Sequence, residues 1–396
     1  MRIAIAKPDY GIVGGFELVV ARIAAALQRA GHTVTWATVD VTALPRRPFG
    51  TSVPDDVWQQ SPELFRYLAL VEAFAALDVA EADVVVSTQP PSFAVDHPRQ
   101  LAVFYHHLRV FYDLADVFVD AGMAGDLDLF HAARDRVRRV DERYLQRPAW
   151  FLTPSETVRG RLAAFNGIAD TTGPYHAGVP LEHPPVPQDA YGFDQPVCVS
   201  RHEFPKRTEL FVHAMKLLPD LTGAMVGIGG RLPFVQSLDA RLSAMDTSAV
   251  ADVDSRELWL CRHDGVEPVE AAPDSNVRFL GRVDDFELAR LYAQALCVVA
   301  PAYQEDYGLT AIEAMQHGKP VVVCDDGGGL VELVDDGVTG LVVEPTGPAI
   351  AAAVESLRAE PERARALGEA ARERSAEFTW DRADRQLFDG LERVLS

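Results

Sequence analysis

The sequence predicts an α/β protein made of two domains, each a doubly wound parallel sheet. Three observations carry this expectation. Short, wholly apolar runs recur, among them Leu296–Ala300 (LCVVA) and Val321–Cys324 (VVVC), and they read as buried strands. Amphipathic helical stretches stopped by glycine alternate with them, as in Glu17–Ala30 followed by Gly31. The chain has 396 residues, a length that suggests about two domains.

The totals narrow the class. Hydrophobic residues make up 48% and charged residues 24%, ordinary values for a globular chain. The net charge of −21 argues against nucleic acid as a partner and limits any membrane association to a peripheral one. Arg134, Arg136, Arg138 and Arg139 cluster, but Asp135, Asp141 and Glu142 interrupt them, as on a solvated helix face. No apolar run approaches the roughly 18 residues of a membrane span. MRIAIAKPDYG reads as a first strand, not a signal peptide, and a cytoplasmic protein is expected. The four cysteines show no C-x-x-C spacing, and buried free thiols are expected.

The elements follow in order. Arg2–Ala6, the turn Gly11–Gly15 (GIVGG), the helix at 17–30 and the strand Thr33–Thr38 form one βα unit. Asp40 falls where a dinucleotide fold places its ribose acid, so a nicotinamide enzyme competes at this point, although the turn lacks G-x-G-x-x-G. Residues 41–62 are Pro-rich. A helix at 63–80, a strand at Val84–Ser87 and another at Leu101–Tyr105 come next. Residues 108–147 are largely helical, then come a strand at Trp150–Thr153 and a helix capped by Ser155. The proline-rich stretch up to Pro196 reads as a linker. The domains expected are 1–180, a linker at 181–196, 197–375, and a C-terminal helix at 376–396 that packs back toward the first domain. The second domain alternates strand and helix from Val197, is less regular at 247–275, and resumes with a strand at 277–281 and a helix at 284–295.

The richest stretch is Pro301–Pro320, PAYQEDYGLTAIEAMQHGKP, between two strands. Ligands of open parallel sheets bind at strand carboxyl ends. Gly308 allows close backbone approach, and the N–H groups of Leu309, Thr310 and Ala311 at a helix start suit an anion. Glu305 and Glu313, with seven residues between them, suit neutral hydroxyls. Together they fit a nucleotide sugar. Each acid alone also reads as a loop acid or a solvated first-turn acid. Arg201 and Lys206 follow a strand end in VSRHEFPKR and fit a diphosphate, or are surface cations. His106 and His107 stand at another strand end. Either faces a reacting group or is structural, and alternation along a strand allows at most one of the two to be a site residue. The D-x-D pairs at Asp126–Asp128 and Asp252–Asp254 follow no clear strand, so no metal site is expected.

These motifs resemble those of the family 4 retaining glycosyltransferases of the GT-B fold. GGFELVVARIAAALQRAGHTVT looks like that family's first glycine turn and helix, and VSRHEFPK like its Arg/Lys diphosphate pair. NVRFLGRV looks like its nucleoside-binding strand and loop, and EDYGLTAIEAMQHGKPVVVCDDGGGLVELVDDGVTGLVV like its donor signature. The resemblance implies two Rossmann-like domains facing a cleft, a nucleotide-diphosphate sugar as donor in the second, and a hydroxyl acceptor in the first. It implies that Glu305 binds sugar hydroxyls, Glu313 the ribose, and Arg201 and Lys206 the diphosphate. Arg282, Val283, Tyr307, Gly308, Leu309 and Thr310 would line the donor, Gly14 and Gly15 would approach its phosphates, and His106, or His107, would face the transferring sugar. The implied reaction is metal-independent, front-face transfer with retention in glycan, glycoconjugate or natural-product biosynthesis, without a cofactor. Tyr307 stands where the family often has Phe, and the loop Arg201–Lys206 departs from the family's usual Gly-rich wording. A phosphorylase-like, hydrolysing or non-catalytic nucleotide-sugar protein remains the alternative. Residues 41–146 carry no readable acceptor code.

Overall fold

The computed structural model describes residues 1–11, 14–179, 186–187, 191–260, 272 and 274–396. The chain divides into two compact units, Met1–Pro180 with Thr379–Ser396, and Leu181–Phe378.

The first unit holds β1 (Arg2–Asp9), β2 (Thr33–Asp40), β3 (Val84–Ser87), β4 (Gln100–Val103), β5 (Trp150–Thr153) and β6 (Thr172–Pro174), all parallel, in the order β2-β1-β3-β4-β5-β6. The central strands are apolar on both faces because helices cover both, and Val84, Val85 and Val86 are fully buried. β4 ends at Val103, so His106 and His107 lie beyond the strand rather than on it, and strand alternation does not separate their roles. The helix Trp380–Leu395 packs on this unit: Gly390 lets it ride close over Leu101 and Leu152, and Trp380 Nε1 donates to Val179 O at 2.9 Å.

The second unit holds β7 (Gln195–Val199), β8 (Gly223–Val226), β9 (Val277–Gly281), β10 (Ala295–Ala300), β11 (Val321–Cys324) and β12 (Gly340–Val343), again parallel, in the order β12-β11-β10-β7-β8-β9. Counted from β7, this is the 3-2-1-4-5-6 order of dinucleotide-binding sheets. Phe211 and Met215 from one helix and Ile350 and Val354 from another seal its core. Cys198, Cys297 and Cys324 are free and buried, and burial pushes each thiol up to about 12. Cys261 lies outside the described residues.

Two expectations need correction. Residues 191–196 are not a free linker. Gly192 and Asp194 donate to Ala293 O and Gln294 O, Lys319 Nζ donates to Gly192 O at 2.6 Å, and β7 already begins at Gln195. The stretch 247–275 contains helices at Thr247–Ala251 and Ser255–Leu260, while 261–271 and 273 lie outside the described residues. One acid of each D-x-D pair caps a helix: Asp126 accepts from Leu129 N, and Asp254 from Glu257 N.

The loops at the carboxyl ends of β7 and β8 touch backbone to backbone. Gly227 has φ +125, and a Cβ there would stand 1.9 Å from Ser200 O. Gly227→Ala is therefore expected to destabilise the second unit by roughly 2–4 kcal/mol, because neither its backbone conformation nor the contact tolerates a methyl. Denaturant unfolding measures this; an unchanged midpoint would refute the close contact.

Candidate donor and transfer site

The strand order of the second sheet reverses between β7 and β10, and ligands of open sheets bind outside such a switch point. The loops that leave these two strands, 200–207 and 301–308, run side by side there. Tyr303 N donates to Pro205 O at 2.7 Å. A third loop, after β11, closes over them: Gln304 N donates to Asp326 O, Glu305 N to Gly327 O, and Gly329 N to Glu305 O. Gly328 is required there, since it has φ +62 and a Cβ would meet Glu305 O at 2.8 Å.

This packing brings Lys206 and Glu305 together. Lys206 Nζ donates to Glu305 Oε2, and both side chains keep partial access to solvent, 22% and 16%. Arg201 is exposed at the end of the same loop, and among the described residues its side chain makes no hydrogen bond or ion pair. Gly308 caps the helix Leu309–Gln316 with φ +111. Its missing Cβ would lie 2.6 Å from Leu330 Cδ2, so glycine is needed here for backbone conformation and for packing on the 329–333 helix, rather than for ligand approach. Ala311 N donates to Gly308 O and is not free for an anion, a second correction. The N–H groups of Leu309 and Thr310 enter no hydrogen bond among the described residues and leave the positive end of the helix open. Tyr307 is buried against Phe378, with ring centroids 6.4 Å apart, and so supports the loop from behind.

Glu313 is not a solvated acid. It is 6% exposed and accepts a hydrogen bond from Tyr292 OH at 2.9 Å. Burial raises its carboxyl to about 7, opposed by that hydrogen bond. Gly281, with φ +62, turns the chain after β9 so that Arg282 is exposed, Val283 is half-buried, and the helix Asp285–Gln294 begins under the cap of Asp284.

Sequence reasoning missed Arg207. Its guanidinium is 2% exposed, and it donates to Asp326 Oδ2 at 2.8 Å, to Asp326 Oδ1, and to Pro301 O at 2.8 Å. Its ring neighbours are Trp259 and Tyr303. The one legible signal is a second cation beside Lys206.

In the first unit the order changes between β1 and β3, and the loop after β3 meets the first turn of the helix Gly15–Arg29 that follows β1: Gln89 Nε2 donates to Glu17 Oε1 at 3.2 Å. Gly14 caps the helix Gly15–Arg29, and Gly14 N already donates to Glu17 Oε2 at 2.9 Å. Asp40 accepts from Thr42 N and Thr42 Oγ1, an Asx turn that engages the carboxylate expected of a ribose acid. The two histidines separate clearly. His107 is 1% exposed, stacks on Tyr112 at 4.1 Å, and bonds Asn166 Oδ1 at 2.7 Å. His106 is half-buried, and its Nδ1 donates to His107 O at 2.7 Å, which leaves Nε2 as the acceptor in the neutral ring. Behind this pair Asp141 is fully buried and accepts from Tyr67 OH at 2.6 Å and Tyr112 OH at 2.8 Å. Burial pushes Asp141 up to about 7, with both tyrosines opposing.

Two family models match the chain. One, described as Glycosyltransferase Family 4, covers residues 13–182; the other, described as Glycosyl transferases group 1, covers 270–374. Together they span more than half of the sequence. The chain belongs to glycosyltransferase family 4. Its two parallel sheets give it the GT-B fold. The D-inositol 3-phosphate glycosyltransferase of Corynebacterium kroppenstedtii is 37% identical over 137 residues, 34% of this chain and 29% of that protein. The chain thus matches under a third of the length of that relative. In overall fold it is similar to sucrose-phosphate synthase from Thermosynechococcus elongatus, at TM-score 0.64 and 22% identity over 98% of this chain and 97% of that one. It is similar also to Anabaena HepE in complex with UDP and glucose, at TM-score 0.63 and 18% identity over 99% of each. No helix among the described residues is long and apolar enough to cross a membrane.

The histidines make a paired test. His107→Ala empties an aromatic box and is expected to cost roughly 3 kcal/mol of stability. His106→Ala is expected to unfold like the parent while losing transfer. Equal stability losses in the two variants would refute the assignment.

Glu313 gives a pH test. The folded chain holds this proton more tightly than the unfolded chain does, so folding favours the protonated form. Stability is therefore expected to fall as pH rises from the ordinary carboxyl range through about 7, and Asp141 acts in the same sense. Thermal melting at pH 5 and pH 8 measures the drop, and Glu313→Gln should shrink it. An unchanged drop in that variant would overturn the burial argument for Glu313.

Proposed function

We propose that this protein is a retaining glycosyltransferase that moves a sugar from a nucleotide-diphosphate sugar to a hydroxyl acceptor. The observation that carries the reading is the grouping of Arg201, Lys206, Glu305 and the open helix start at Leu309–Thr310 at the switch point of one sheet. Cations and aligned N–H groups suit a diphosphate, and an adjacent carboxylate suits sugar hydroxyls.

In this reading Arg201 and Lys206 hold the diphosphate and stabilise charge that grows on it as the glycosidic bond breaks. Glu305 accepts from hydroxyls of the transferring sugar. Glu313 accepts from the ribose, with Tyr292 OH fixing one of its oxygens. Arg282 and Val283 flank the base, and Tyr307 holds the loop. The first unit binds the acceptor, and its candidate residues are Gly14, Gly15 and His106, whose Nε2 is the acceptor atom of the neutral ring. Transfer takes place on one face of the sugar: the bond to the diphosphate breaks as the bond to the acceptor oxygen forms, and the departing diphosphate takes the acceptor proton. No metal ion and no cofactor enters this scheme, and the protein works in the cytoplasm.

A thermal-shift screen with UDP-, GDP-, ADP- and dTDP-glucose identifies the base, and UDP is tried first because HepE binds it. With the best donor, Glu305→Ala and Arg201→Ala are each expected to lower transfer by roughly a hundredfold or more while the melting temperature holds. Without acceptor, nucleoside diphosphate should be released only slowly. Full activity in both variants would sink the site, and fast release without acceptor would make the protein a hydrolase.

A further inference from the structure

Among the described residues three non-glycine positions have positive φ: Phe49, Arg207 and Gln304. Two of them flank the ion pair of the donor site. Arg207 (φ 47) follows Lys206, and Gln304 (φ 49) precedes Glu305. Each is disfavoured relative to ordinary backbone for a residue with a Cβ, so other contacts must hold both.

Those contacts converge on Asp326. Its carboxylate takes two N–H groups of Arg207, and its carbonyl takes Gln304 N at 3.0 Å and Gln304 Nε2 at 3.3 Å. Arg207 also donates to Pro301 O and Ala302 O, the first residues after β10. Trp259 lies 5.1 Å from the guanidinium and anchors its own Nε1 on Phe204 O at 2.7 Å, inside the 200–207 loop. One buried cation therefore joins the loops after β7, β10 and β11. Its chain neighbour is Lys206, and the neighbour of its partner's partner is Glu305.

We propose that Arg207 is a positioning residue of the donor site: clamped by Asp326, it sets the backbone on both sides of the Lys206–Glu305 pair and so fixes where the cation and the carboxylate meet the donor. The proposal rests on the nucleotide-sugar reading above. Arg207 is too deeply buried to touch the donor itself; it acts through Lys206 and Glu305. Glycine fits the backbone of position 207 without strain, so Arg207→Gly removes the clamp while easing the local conformation.

The test uses titration calorimetry of the full chain with UDP-, GDP-, ADP- and dTDP-glucose, and continues with whichever sugar nucleotide the parent binds. Arg207→Gly is expected to weaken that affinity roughly tenfold or more, with Arg207→Lys recovering part of the loss. In a background carrying both Lys206→Ala and Glu305→Ala the same substitution is expected to cost about twofold or less, because the clamp acts only through those two side chains. A purely structural Arg207 would lower the melting temperature and leave the affinity of the folded protein unchanged, which overturns the proposal. An equal factor in both backgrounds also overturns it. If Arg207→Gly does not fold, Asp326→Asn, which keeps the shape and loses the charge, carries the same comparison. A parent that binds none of the four overturns the nucleotide-sugar reading and this proposal with it; a parent that binds while Arg207→Gly binds equally well overturns the clamp alone.

Discussion

The reversal of strand order between β7 and β10 is the constraint from which the second unit follows. Helices leave these neighbouring strands in opposite directions, so no helix covers the gap above them, and two loops must stabilise each other. They do so with backbone hydrogen bonds and one buried guanidinium. Burying that charge costs several kcal/mol, offset only because carboxylate and carbonyl oxygens satisfy it. Such a network contributes little net stability. It contributes a single arrangement, because any other would leave a desolvated charge unpaired.

The first unit solves a related problem with neutral groups. Asp141 sits under the loop after β4 and fixes Tyr67 and Tyr112. Tyr112 is one wall of the box around His107, and the carbonyl of His107 sets the ring of His106. A carboxyl buried among tyrosines thereby reaches a half-buried imidazole through packing and hydrogen bonds alone. The acids that look most like surface chemistry in the sequence, Glu313 and Asp141, are both interior groups whose protons are held more tightly than usual.

This contrast marks what the sequence could carry. VVVS, LCVVA and VVVC announce a parallel sheet because only strands covered on both faces are apolar throughout, and the sheets are where those runs lie. Glu305 and the helix start were legible because the chemistry of a strand–loop–helix is local. Arg207 and Asp326 were not, since 119 positions separate them and nothing in a linear string marks a charge as buried. Gly308 was legible as a glycine but not for its reason, which is contact with Leu330 and Leu333, two side chains further along the chain. The prolines before 196 suggested a spacer, yet Lys319, far downstream, ties Gly192 down and stands 4.0 Å over the ring of Phe193.

Two ion pairs lie side by side at this switch point, and their burial separates their duties. Arg207 is 2% exposed, and opening its contact with Asp326 would strand a charge without water. Lys206 and Glu305 are each partly wetted, so their contact opens at modest cost. In the proposed reaction a diphosphate draws Lys206 away and frees the Glu305 carboxylate for a sugar hydroxyl, so that arrival of the donor itself creates the acceptor atom its sugar needs. A nucleoside diphosphate without sugar would free the same carboxylate and leave it unmatched. The fixed pair and the exchangeable pair together thus favour the whole donor over its fragment, and that preference depends on the first pair holding still while the second opens.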